Sequence, residues 1–239
     1  MNSSAQNSTI VLVHGAWADG SCWKDLILPL ERQGLRVTCA PIPLTSLSED
    51  VSALTHTLER TSGPVVLAGH AYGGAVIGAI RYERVKSFVF VAALAPDEGE
   101  TVAQMFYRDE PHAEAPKLAP DKHGFIWMPE DGFSRAVAHK AATDHTRILA
   151  AVQRPISVQC IQEAAPAPGW KARPSWFLVA EEGRMINPKT QQFMARRMGA
   201  KIRSSRVDHS PMYTATDLVI DVILEAARES LPNNALAPV

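Results

Sequence analysis

The segment Pro64-Val-Val-Leu-Ala-Gly-His-Ala-Tyr-Gly-Gly74 carries the sharpest chemical signal in the chain. An apolar run ends in small residues where a strand would turn abruptly into a helix, here Ala75 to Tyr82. This is the pattern of the G-x-S-x-G elbow. Its middle residue sits in a strained turn, and glycines on both sides let strand and helix approach without an intervening Cβ. The middle residue here is Ala71. A methyl group offers no oxygen or sulfur to attack a carbonyl, so acyl transfer through a covalent intermediate is not expected of this chain.

Other chemistries lack their residues. Gly15-Ala-Trp-Ala-Asp-Gly20 spaces its glycines like a phosphate-binding loop but continues with Ser21 and Cys22 where Lys and Ser or Thr are required. Gly69, Gly73, Gly74 and Gly78 follow a strand, yet not in the order G-x-G-x-x-G, so no nicotinamide cofactor is expected. His112, His123, His139 and His145 have no metal-site spacing; His139 and His145 are the two that could touch a pocket. No cofactor and no metal are expected.

These residues need elements to hold them. Thr9-Ile-Val-Leu-Val-His14 is a β-branched apolar run, as a strand buried on both faces reads. Similar runs follow at Leu35 to Cys39, Pro64 to Ala68, Ser87 to Ala92, Ser175 to Val179 and, more weakly, Lys201 to Val207. Helical spacing appears at Val51, Leu54 and Leu58 after Ser48, at Thr190 to Met198 before a C′ Gly199, and at Asp217 to Ala227. Strand alternating with helix predicts an α/β fold, a mostly parallel six-stranded sheet covered on both faces, with functional loops at the strands' carboxyl ends. Residues 1–98 and 170–231 form the core in this reading. Gly99 to Gly169 shows no clear buried strand and is an inserted helical cap, whose Phe106, Tyr107, Phe125, Trp127, Met128 and Phe133 are candidates for a pocket lining. Pro232 to Val239 reads as a disordered tail.

Composition narrows the partners. The chain has 239 residues, and its 24 Lys and Arg nearly balance 25 Asp and Glu for a net charge of -1. A broad positive field for nucleic acid or anionic membranes is therefore absent. Roughly 70% of the surface of a chain this size is buried in a single core. Cys22, Cys39 and Cys160 are odd in number and far apart, which suits reduced thiols in a cytoplasmic protein. The polar start, Met1 to Ser8, and the short apolar run after it fit neither a signal peptide nor a membrane span.

Five motifs together resemble the α/β-hydrolase superfamily, in particular the small-capped group of hydroxynitrile lyases, plant methylesterases and bacterial esterase-like hydrolases. They are Val13-His-Gly-Ala-Trp17, Gly69-His-Ala-Tyr-Gly-Gly74, Ala95-Pro-Asp-Glu-Gly99, Pro174-Ser-Trp-Phe-Leu-Val-Ala180 and Asp208-His-Ser-Pro-Met212. The resemblance places Ala71 at the nucleophile position and His209 at the catalytic histidine. It makes the backbone amides of Ala16 and Tyr72 the oxyanion-hole donors. The group's acid, typically an Asp before Arg, falls on Gly183 of Ala180-Glu-Glu-Gly-Arg184, leaving Glu182 or Glu181 as the longer alternatives. Trp17, Phe106, Trp127, Met128 and Met212 are the expected substrate contacts, and the Tyr72 phenol is a further candidate. His70 and Trp17 are expected to support the turn, and Asp97 to be structural.

Two changed triad positions leave three readings. In the first, the protein acts on a small apolar carbonyl compound without a serine: His209 is general acid or base, and the Ala16 and Tyr72 amides hold a developing oxyanion in proton-transfer, lyase or cyclisation chemistry. In the second, the parent activity is carboxylic ester hydrolysis and Ala71 replaces its serine. In the third, the chain binds a small ligand without turnover. Each takes a small molecule as partner.

Overall fold

The computed structural model describes residues 8–232. Six strands form a wholly parallel sheet in the order β2-β1-β3-β4-β7-β8. They are β1 (Thr9–Val13), β2 (Arg36–Ala40), β3 (Val65–His70), β4 (Val85–Val91), β7 (Ser175–Ala180) and β8 (Lys201–Ser205). All six expected strands are present. The central ones are buried on both faces, whereas Lys201 to Ser204 of β8 are exposed because that strand closes an edge. The helices are α1 (Lys24–Arg32), α2 (Leu47–Glu59), α3 (Tyr72–Gly78), α4 (Val102–Phe106), α5 (Glu130–Gly132, running into a π turn at Phe133–Val137), α6 (Thr143–Val152), α7 (Val158–Gln162), α8 (Pro188–Arg197), α9 (Pro211–Thr214) and α10 (Thr216–Ser230). This is the α/β-hydrolase fold.

Alternation along the strands builds two cores. Val11, Val13, Leu67, Phe88, Phe90 and Phe177 face α2, α3 and α8, while Ile10, Leu12, Val66, Val89, Trp176 and Leu178 face α1 and α10. The chain leaves β1 towards β2 on one side and returns through β3 towards β4 on the other. The strand order therefore reverses between β1 and β3, and their carboxyl ends open a crevice. Local signals agree with this layout. Ser46 caps α2 by accepting from the Glu49 amide at 3.1 Å, and Gly199 follows α8 at φ 65°. Helix α1 contains Pro29, which interrupted the periodicity that would have announced it.

Between Gly99 and Gly169 the chain forms α4 to α7 and one two-residue antiparallel pair, β5 (Phe125–Ile126) with β6 (Ile156–Ser157). The expected absence of strands here is thus corrected by this short ladder, too brief to leave a pattern. The segment is tied to the core by Trp17 Nε1 donating to the Ile126 carbonyl at 2.9 Å and by the Ser48 amide donating to Glu163 at 3.0 Å. Most of the expected tail, residues 233–239, lies outside the described residues. No described helix is long and apolar enough to cross a membrane.

Candidate functional site

The crevice is built by two backbone turns. At the end of β3 the chain enters α3 through Ala71, whose φ of 49° and ψ of -118° put a non-glycine residue in a strained region. Three bonds hold it there. Its amide donates to Val91 at 3.3 Å, and its carbonyl accepts from Gly74 at 3.1 Å and Leu94 at 3.0 Å. A Cβ on Gly73 would lie 2.6 Å from the carbonyl oxygens of Val13 and His14, which explains the glycine directly behind the turn. At the end of β1, Trp17 also has a positive φ, 59°, and its indole reaches the Ile126 carbonyl.

Between these turns and the segment above lies a cavity of about 170 Å³. Ala16, Ala71, Tyr72 and His209 share its wall, so the structure brings together the four residues expected at its centre. The amides of Ala16 and Tyr72 make no hydrogen bond among the described residues. Trp17, Phe106, Ile126, Ile156 and Met185 supply apolar walls, and exposed Tyr107 and Gln162 also border it. The cavity slightly exceeds the roughly 150 Å³ that holds a benzene-sized molecule.

His209 is 4% exposed. Its backbone carbonyl accepts from His70 Nε2 at 2.7 Å, and the two rings stand 4.8 Å apart. Burial, with the neighbouring His70, holds the His209 imidazole well below the usual histidine range; His70 itself is pushed down to about 4 by burial. Both rings are therefore neutral near pH 7. The Nδ1 of His209 is enclosed and has no hydrogen-bond partner among the described residues. Next to it in sequence, Asp208 accepts from Lys140 N at 3.0 Å, Ser210 N at 3.2 Å and the Thr214 hydroxyl at 2.7 Å, which shapes the loop.

Several expected contacts lie elsewhere. Glu182 does not reach His209: it pairs with Lys140 and with Arg206 at 2.9 Å, because its backbone is bonded to Val207 and turns the side chain into a basic rim. Glu181 is exposed, and Gly183 is buried with no side chain to offer. Trp127 is half-exposed and donates to Asp121 at 3.2 Å, since strand alternation points Ile126 into the cavity and its neighbour out. Met128 packs with Phe133, Ala136 and Met185 outside the cavity wall, and Met212 belongs to the core on the α1 and α10 face. His139 and His145 do not border the cavity either; His145 packs edge-on against Tyr213. Asp97 pairs with Lys171, away from His209.

The Tyr72 phenol, considered as a ligand contact, is committed to the protein. It donates to Asp50 Oδ2 at 2.6 Å, while Oδ1 of the same carboxylate accepts from the Leu44 amide at 2.7 Å and the Cys160 thiol lies 3.6 Å from Oδ2. Desolvation still holds the Asp50 carboxyl above its usual range, the three donors offsetting only part of it. Sequence reading missed Asp50 because one acid inside an amphipathic helix looks like a solvated charge. It missed Met185 and Ile186 because they follow a strand in a loop. No group of three or more His, Cys, Asp or Glu among the described residues is arranged to hold a metal ion.

Comparison with known proteins bears on the fold and the family. A carbendazim-hydrolysing esterase from Nocardioides sp. (strain SG-4G) is 27% identical over 144 residues, which cover 51% of this chain and 60% of that enzyme. Methylesterase 2 of Arabidopsis thaliana is 23% identical over 95% of this chain and 98% of its own length. A histidine-to-alanine variant of tomato methylketone synthase I, solved with β-ketoheptanoate, superposes with a TM-score of 0.80 at 16% identity, over 94% of this chain and 99% of that one. The model of the alpha/beta hydrolase family matches residues 10–222, nearly everything the structure describes, and the chain belongs to that family.

Proposed function

We propose that this protein transforms a small apolar carbonyl compound through an enolate, without a covalent enzyme intermediate. The carrying observation is that a methyl group, Ala71, shares the cavity wall with a neutral imidazole that no carboxylate reaches, while the elbow around it is intact. The unpartnered amides of Ala16 and Tyr72 serve as oxyanion donors, each worth about 10²- to 10³-fold in comparable sites. His209 stands beside them as a neutral hydrogen-bond donor to the carbonyl oxygen.

Decarboxylation of a β-keto acid is the enolate-forming reaction that needs neither nucleophile nor strong base. The bond from the α-carbon to the carboxyl group breaks, carbon dioxide leaves, and the electron pair moves onto the carbonyl oxygen. A proton from water then reaches the α-carbon. An apolar wall disfavours the localised carboxylate more than the delocalised transition state, which lowers the barrier. The ligand held by the tomato methylketone synthase I variant belongs to this class.

The test is to incubate the protein with β-ketoheptanoate and follow 2-hexanone. Expected is a rate about 10³-fold above buffer, lost in His209→Ala, with no mass added to the intact protein. A rate equal to buffer across short and medium β-keto acids, or a trapped acyl adduct, refutes the proposal.

The esterase relatives favour a second reading, ester hydrolysis on a frame whose serine is replaced by Ala71. Ala71→Ser, alone and combined with Gly183→Asp, assayed on short p-nitrophenyl esters, tests it. Robust turnover by Ala71→Ser alone supports that reading, and inert single and double variants reject it.

A further inference from the structure

We infer that His209 carries its hydrogen on Nε2 and its lone pair on Nδ1, so that the neutral ring is a third hydrogen-bond donor to the substrate oxygen and not a base. The tautomer follows from the surroundings of the ring; its use on an enolate rests on the function proposed above.

In hydrolases with a complete triad, a carboxylate holds the imidazole proton on the nitrogen facing away from the nucleophile, and losing that carboxylate yields the wrong tautomer for base catalysis. Among the described residues none accepts from Nδ1, and the side chains around the expected place of the acid are absent or engaged. Gly183 has no side chain, and Glu182 is held by Lys140 and Arg206. The Gln191 amide, next to Gly183, accepts from Ala180 N at 3.0 Å and donates to the Ile186 carbonyl at 2.8 Å. The oxygens of Asp208 are bound by Lys140 N, Ser210 N and the Thr214 hydroxyl. A proton on Nδ1 would be an enclosed donor facing nothing. Nε2 is not enclosed in this way and the ring borders the cavity, so we infer that a proton there is accepted by water or a substrate oxygen.

The ring also stays neutral. The titratable groups near it are His70, itself neutral, and Asp208, whose carboxylate is committed to its three donors. A neutral imidazole N–H polarises a carbonyl without becoming charged, a role known where burial or a helix terminus depresses a histidine. The bond from His70 Nε2 to the His209 carbonyl fixes the backbone from which the ring projects.

Two-dimensional ¹⁵N–¹H correlation of the histidine rings tests this on the full chain at pH 7 without ligand, with His209→Gln identifying the signals. The expected spectrum shows a protonated Nε2 and an unprotonated Nδ1 for His209. A protonated Nδ1 overturns the inference. Gly183→Asp should move the proton to Nδ1, although its Cβ would sit 3.0 Å from the Ala180 carbonyl oxygen and needs a small shift to fit. Should that variant not fold, the spectrum of the unmodified chain still decides. An Ala71→Ser serine should remain about 10⁴-fold less active on p-nitrophenyl acetate than the Ala71→Ser/Gly183→Asp pair, since an Nε2–H cannot take its proton; equal rates overturn the inference. The spectrum does not depend on turnover, so an Nε2–H ring in a protein inert to β-keto acids sinks the enolate reading alone.

Discussion

Lowering the pH from 7 to 4.5 should destabilise this protein through histidines far more than through carboxylates. His14 and His70 are buried, and burial depresses both from 6.5 to about 4. Each such depression corresponds to about 3 kcal/mol of stability, fully present above the unfolded value of 6.5 and lost as the pH falls through the folded value, because the unfolded chain takes up the proton first. By pH 4.5 the two together should have lost about 5 kcal/mol, a large part of a typical stability of 5–15 kcal/mol. His209, also lowered by burial, adds to the loss. The carboxylates with lowered values, such as Asp97 and Glu100, release their contribution only below their ordinary values of 3.8 and 4.5. Asp50, which is raised, works the other way and favours the folded state slightly as it takes up its proton. Urea unfolding followed by tryptophan fluorescence at half-unit pH steps measures the slope. His14→Gln should remove about half of the loss assigned to the pair. A stability that stays level between pH 6.5 and 4.5, or a His14→Gln slope identical to that of the unmodified chain, refutes the reasoning.

Other outcomes follow from the same geometry. Tyr72→Phe leaves Asp50 buried without its closest donor and should lower stability by about 1–3 kcal/mol in urea denaturation. Gly73→Ala forces a methyl to 2.6 Å from two backbone oxygens of β1 and its following loop and should yield insoluble or unfolded protein, read by solubility and circular dichroism. Glu182→Gln removes only exposed ion pairs; the urea midpoint and the ring spectrum of His209 should both stay unchanged.

The frame was legible because its strands are buried on both faces, so Thr9 to Val13 and Ser175 to Val179 read as continuous apolar runs whatever lies around them. The centre of the site was legible for a related reason: Ala16, Ala71, Tyr72 and His209 follow strand ends, and the strand order fixes where those ends meet. What failed was the segment above the sheet. Trp127 was expected inside because it is aromatic, but the two-residue strand that turns it outward has no pattern of its own. Met212 was expected as a substrate contact, yet α9 carries it into the core on the α1 and α10 face. Glu182 failed for want of one fact that only the fold supplies, the positions of Lys140 and Arg206.

The strained turn at Ala71 is clamped by main-chain hydrogen bonds, none of which involves the residue's own side chain, while the Ala71 methyl lies 3.0 Å from where a Cβ on Gly15 would sit. The apex can therefore exchange a hydroxymethyl for a methyl without disturbing the architecture that surrounds it. Gain or loss of a single oxygen at this position thus alters what the cavity can react with while the scaffold around it keeps its shape.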